Sequence, residues 1–148
     1  MKISTKGEYG IRALLELTHR YGEGYVQSSD IAEARGVPEN YLYQLLITLR
    51  KAGIIRSRRG PQGGHMLAKA PSDISVADAV IALEGPLAPL SCVQDHIVDD
   101  CPYNDECAMR EVWLEVTEAT REILERTTFD TLVEREKERR QKKMAAAR

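Results

Sequence analysis

The chain has 148 residues, 43% of them hydrophobic and 30% charged. That is enough for one compact domain plus an appended element, and the balance excludes a disordered chain. No apolar run is long enough to cross a bilayer. The opening MKISTKGEYG lacks the apolar stretch of a signal peptide, so the expected location is the cytoplasm. The net charge of −2 hides a segregation: +5 over residues 1–70, −12 over 71–136 and +5 over 137–148. A basic first half suits a polyanion, because neutralised phosphates release counterions; an acidic middle does not. The two halves are therefore expected to do different jobs.

The first predicted helix runs from Thr5 to Tyr21. Ser4 or Thr5 can cap it, and Leu14, Leu17 and Tyr21 recur at helical spacing. Gly22 and Gly24 end it. A short second helix spans Ser28 to Arg35, with Ile31 and Ala34 expected inside. After the turn Gly36-Val37-Pro38, a third helix runs to about Ala52. Leu42, Leu45, Leu46 and Leu49 form its apolar stripe, and Gly53 stops it. Two short strands follow, near Ile54–Arg58 and His65–Ala68, around the turn-rich Arg59-Gly60-Pro61-Gln62-Gly63-Gly64. A helix near Ser75–Glu84 carries Val76, Ala79, Val80 and Leu83 on one face. Residues 86–107 read as irregular. A long helix, about Ala108–Arg126, places Met109, Val112, Val116, Ala119 and Ile123 three and four apart, a short coiled-coil-like seam.

Helix, tight turn, helix and β-hairpin is the order of a winged helix-turn-helix, a mainly α fold with a small β wing. The expected units are a DNA-binding domain at 1–85, a cysteine-containing loop at 86–107, a dimerisation helix with a C-terminal packing segment at 108–133, and a charged, disordered tail at 134–148. With its leucines buried, the third helix turns Asn40, Tyr43, Gln44, Ile47 and Lys51 outward, and its polar N-terminal residues can reach base edges in a major groove. Ser28 heads the helix before it. Arg56, Arg58 and Arg59 on the hairpin suit a DNA backbone or minor groove. The expected partner is double-stranded DNA. No nucleophile–base pair or nucleotide-phosphate loop is present, which argues against an enzyme.

Three cysteines follow the pattern Cys92-x8-Cys101-x5-Cys107. An odd, clustered set argues against a disulfide framework and for a metal or redox site. The spacing is not that of paired zinc ligands. Three soft thiolates suit an iron–sulfur cluster, which needs a fourth ligand, and His96 is a candidate within the loop. Thiols without metal remain an equal reading of this spacing.

Three segments, MKISTKGEYGIRALLEL, IAEARGVPENYLYQLLITLRKAGIIRSRRGPQGGHMLAKAP and SVADAVIALEGPLAPLSC, resemble the bacterial winged-helix regulators typified by IscR, NsrR, RirA and CymR, in unbroken order over about residues 1–130. The resemblance implies a homodimer, built through the long helix, that binds pseudo-palindromic operators and mostly represses. It implies a cluster on Cys92, Cys101 and Cys107, [4Fe–4S] in first place and [2Fe–2S] in second, sensing nitric oxide, redox, iron or cluster status. The x8 gap is longer than the x5 usual in IscR. Where IscR-like members place a histidine ligand, three residues after the last cysteine, this chain has Arg110. NsrR-like members use an N-terminal carboxylate of the partner subunit, and the matching residue is Glu8. Gln44 and Arg59 match DNA-contacting positions of the family, whereas Tyr43 replaces a common Glu. CymR-like members imply the alternative, a regulator of the same fold without a cluster, controlled by thiols or a protein partner.

Overall fold

The computed structural model describes residues 2–94 and 101–148. Six helices and one hairpin follow in the order α1 (Thr5–His19), α2 (Ser28–Arg35), α3 (Glu39–Lys51), β1 (Ile55–Arg58), β2 (Gly64–Leu67), α4 (Val76–Glu84), α5 (Ala108–Glu125) and α6 (Phe129–Ala146). Short 3-10 turns lie at Pro71–Asp73 and Ser91–Val93.

Helix starts follow local chemistry. The Ser4 hydroxyl accepts the Gly7 amide, satisfying one of the donors that the first turn of α1 leaves open. The Glu84 carboxylate in turn accepts the Ser4 amide at 2.9 Å and its hydroxyl at 2.6 Å, tying the end of α4 to the start of α1. Those two helices touch closely. A Cβ on Gly10 would stand 2.4 Å from Leu83 Cδ1, so only glycine allows the approach. Ser75 and Asp78 form a reciprocal capping box at α4.

The core is one cluster beneath α1, α2, α3, α4 and the hairpin. Leu14, Ile31, Leu42 and Leu49 are each 0% exposed, and Leu45 and Leu46 complete the stripe expected of α3. Val26 adds two backbone bonds to His65, N–H to O in each direction at 2.8 Å, so a single-residue bridge edges the hairpin. Gly64 makes room for that edge: its φ is +136°, and a Cβ there would lie 2.4 Å from the Val26 carbonyl oxygen.

Three expectations change. In α2, Ala32 rather than Ala34 accompanies Ile31 inside, because Ala32 faces α1 and α3 while Ala34 stays exposed. Tyr21 lies beyond the end of α1 and is exposed rather than part of its stripe. The tail expected to be disordered from residue 134 is helical to Ala146. Its Glu, Lys, Arg, Gln and Ala residues all favour helix, and Phe129 and Val133 root the first two turns in the core. The Phe129 amide donates to the Ile74 carbonyl at 3.0 Å and the Val76 amide to Thr127 at 2.8 Å, returning the chain to the first domain.

Helix α5 differs from all of these. Thr117 is its one buried residue, while Met109, Val112, Leu114, Val116 and Ile123 are 40–52% exposed. It leans on α4 and on the turn at Ser91–Val93, leaving a long apolar face uncovered in the single chain.

Candidate nucleic-acid interface and cysteine loop

On α3 the four buried leucines fix the rotation of the helix. Positions 40, 43, 44, 47 and 51 then share the opposite side; all are exposed except Ile47, which is half-buried. The Asn40 side-chain oxygen accepts the Tyr41 amide at 2.9 Å, occupying part of its hydrogen-bonding capacity within the helix. Pro38 precedes α3 and supplies no side-chain cap, so of the first-turn amides those of Glu39 and Asn40 are the ones an anion could meet.

Between α3 and the hairpin lies a cleft of about 270 Å³, lined by Gln27, Tyr43, Ile47, Arg50, Arg58 and Arg59 among others. The fold thus brings together three of the expected DNA residues, Tyr43, Arg58 and Arg59. Gln44, Lys51, Arg56, Asn40 and Ser28 stand outside this cleft; the first four are exposed and Ser28 is half-buried at the start of α2. Arg58 is held rather than loose. Its guanidinium sits 4.6 Å from the Tyr25 ring centroid and donates to the Gln62 carbonyl at 2.9 Å, which stiffens the wing.

Two residues of the cleft were not anticipated. The Gln27 side-chain amide donates to the Gly63 carbonyl at 2.7 Å, clasping the wing tip to the start of α2. Arg50 adds a cation beside His65. Burial, and then the charge of Arg50, hold the His65 imidazole below its ordinary range. A polar residue before a helix carries no sequence signal for such a clasp, since its partner carbonyl lies 36 residues away.

The cysteine loop joins α4 to α5. Cys92 and Cys101 are half-buried, Cys107 is exposed, and no disulfide joins them. The loop is tied to α5 at two places. Cys107 is the residue at which α5 begins, and the Arg110 guanidinium donates to the Cys92 carbonyl at 3.3 Å. Arg110, in the position of the family's histidine, thus acts as a backbone clamp. The Asn104 side-chain oxygen, between the second and third cysteines, is buried without a hydrogen-bond partner among the described residues. Also among the described residues, no three His, Cys, Asp or Glu side chains converge closely enough to hold a metal ion. The donor set does suit an iron–sulfur cluster, because it supplies three soft sulfur ligands from one loop.

Glu8 lies in the first turn of α1, more than half exposed, with its carboxylate paired to Arg12. The Arg12 guanidinium lies 5.5 Å from the Tyr9 ring, and Tyr9 meets Tyr41 of α3 edge to face at 5.6 Å. His96, the rival fourth ligand, lies outside the described residues.

Comparison with known proteins supplies the decisive observation. The family model described as Rrf2, iron-dependent transcriptional regulator, matches residues 3–135. This chain belongs to the Rrf2 family. It is 39% identical over 132 residues to the HTH-type transcriptional regulator CymR of Bacillus subtilis, covering 89% of each chain. Its fold is similar to the solved structure of that CymR, described as a global cysteine regulator, with a TM-score of 0.74 at 36% identity, covering 90% of this chain and 97% of the other. The IscR of T. potens gives a TM-score of 0.72 at 37% identity, covering 90% of this chain and 87% of the other. The chain is therefore a DNA-binding transcription regulator with the winged helix-turn-helix fold, not an enzyme. No helix among the described residues is long and apolar enough to cross a membrane.

Proposed function

We propose that this Rrf2-family regulator works as a homodimer, in the cytoplasm, on a pseudo-palindromic operator, in most contexts as a repressor. We further propose that its affinity is governed by an iron–sulfur cluster, [4Fe–4S] before [2Fe–2S], on Cys92, Cys101 and Cys107 with the partner subunit's Glu8 as fourth ligand. When bound, the group supplies a centre whose ligation changes with nitric oxide, redox or iron status. The observation that carries the reading is the placement of the cysteines. Cys107 begins α5, and Cys92 is clamped to its first turn through Arg110, so a change at the thiols acts on the helix whose apolar face awaits a partner. Arg12 holds the Glu8 carboxylate on the surface of α1, where another subunit can reach it. A carboxylate is a harder donor than a thiolate, which leaves the iron it holds comparatively open to a sensed ligand.

The test is anaerobic purification, with absorbance, iron and sulfide counted per dimer. A brown protein is expected. Its colour should vanish in each of Cys92→Ala, Cys101→Ala and Cys107→Ala, and Glu8→Ala should remain a folded dimer whose cluster is absent or short-lived in air. A full, air-resistant cluster in Glu8→Ala beside an empty His96→Ala would reassign the ligand to His96.

A second reading has its own support. The described cysteines do not converge on a metal site, and the chain is similar to CymR, a cysteine regulator. Colourless, iron-free protein that leaves its operator on thiol oxidation would establish control by thiols or a protein partner instead.

A further inference from the structure

Helix α6 is longer than its packing requires. Its apolar residues Phe129, Leu132 and Val133 seat the first turns, and Glu136 is the last of its residues, among the described ones, that pairs with a charge on another element. The Glu136 carboxylate accepts Arg35 Nη1 at 3.1 Å and Nη2 at 3.3 Å, and meets His19 Nε2 at 2.6 Å. Arg35 also donates to Glu16 at 3.0 Å, and its side chain is only 11% exposed. Burial raises the Glu136 pKa, but hydrogen bonds and charge from Arg35 and His19 outweigh it, so the carboxyl stays ionised and the clamp is a true ion pair. The clamp fixes α6 to the final residues of α1 and α2. Arg35 is followed by the left-handed Gly36 and then by α3, so the anchor of α6 sits at the turn of the helix-turn-helix.

Beyond that anchor α6 continues to Ala146, about 15 Å of helix. Residues 137–148 carry a balance of +5. Arg139, Arg140 and Lys143 follow Glu136 at helical spacing, on the side of α6 that faces the body before the body ends. They are exposed, and among the described residues no carboxylate pairs with them. A helix that outruns its core with unpaired cations on that side has an anion as its natural occupant. In the chain, the acidic stretch falls mainly in α4, the loop and α5, before α6 begins.

We propose that the C-terminal part of α6 is a second, sequence-independent DNA contact. Arg139, Arg140 and Lys143 meet phosphates of the duplex flanking the segment read by α3, and the Glu136–Arg35–His19 clamp sets their direction. This rests on the DNA-binding role of the family and extends it to an element outside the winged helix. Phosphate contacts of this kind position a protein without reading bases.

The test uses the full-length dimer, a duplex selected for binding from a random pool, and a duplex of unrelated sequence. Arg139→Gln/Arg140→Gln/Lys143→Gln keeps helix-forming residues while removing three charges. Affinity for both duplexes should fall by the same factor, at least about tenfold near 0.1 M salt, with the plot of log affinity against log salt shallower by about 2–3. The preference between the duplexes should be unchanged. Arg139→Lys/Arg140→Lys should restore the slope, since a phosphate accepts either cation. An unchanged slope in a variant that is still helical by circular dichroism overturns the proposal. So does a loss confined to the selected duplex, or a loss that the lysine variant fails to restore. If the unmodified protein shows no preference for the selected duplex, the fault lies in the reading of α3 and the wing; the slope comparison on unrelated duplex still decides the role of α6.

Discussion

The DNA-reading body and the α5 arm are opposites in how they satisfy themselves. Around α1 to α4 the leucine stripe is buried, the start of each of α1 and α4 is capped, and glycines stand at the close approaches of α1 to Leu83 and of the wing to Val26. Along α5 the apolar residues are exposed, and a buried side-chain oxygen on the preceding loop has no partner among the described residues. The body is thus built to hold one shape alone. The arm is left incomplete in the single chain, and the proposed second subunit and cysteine-bound group are what would complete it. Such a division would suit the proposed switch, in which the reading surface holds its shape while the element setting the spacing of two such surfaces responds.

The largest effect that tests this contrast is loss of the dimer. Val116→Glu/Ile123→Glu places two charges on the uncovered face of α5, and sedimentation should show monomer with no binding to a palindromic duplex. Because neither side chain is buried in the subunit, the melting temperature of the monomer at low concentration should barely move. A dimer that survives both changes would mean the partner seats elsewhere. A monomer that also melts early would mean α5 stabilises its own subunit, and the contrast would weaken.

A smaller effect belongs to the reading surface. Gln44→Ala should lower affinity and relax preference at one base pair, by about 1–3 kcal/mol if its contact is bidentate. Arg59→Ala, from the wing, should weaken binding with less change in preference and a lower salt slope. Measuring both variants across a set of single-base operator changes separates the two roles. Equal loss of preference in both would place Arg59 at base edges as well.

The sequence shows the body more clearly than the arm, and the reasons are physical. The leucines of α3 and the cap at Ser4 act within a turn or two of chain, so periodicity and residue type reveal them. Helix α2 is placed to the residue, yet Ala34 was expected where Ala32 lies, because two alanines spaced by two give periodicity little to choose between. Helix α6 is hidden for another reason. After Val133 it has no apolar stripe, and the ion pair that seats it joins residues 101 positions apart. The clasp of Gln27 on the wing is hidden the same way. At the cysteines, spacing reveals three soft donors, while the proposed fourth, from another subunit, would leave no mark in local pattern.

The smallest expected effect concerns His65, at the seam between wing and body. Its backbone bonds to Val26 in both directions at 2.8 Å, and its Nδ1 meets the Ser57 hydroxyl at 2.8 Å. Burial and Arg50 hold its pKa below 6.5, and Arg58 and Arg59 line the same cleft, so a proton arriving there meets three cations. In the unfolded chain the imidazole protonates at about 6.5. The unfolded state therefore binds the proton first as pH falls. The stability this residue contributes is complete above about pH 6.5 and declines below it, toward the lower folded value. The carboxylates with shifted values, Glu84, Asp130 and Glu136, are all lowered, so they titrate beneath this window. Denaturant midpoints taken between pH 7.5 and 5 should fall with acid, and His65→Gln should flatten that fall. Amide exchange at Val26 should report the loosening directly, since its N–H is held by the His65 carbonyl. If the variant keeps the full pH dependence, the wing is as pH-indifferent as the rest of the body, and its attachment depends on Gln27 and the leucine core rather than on a neutral imidazole.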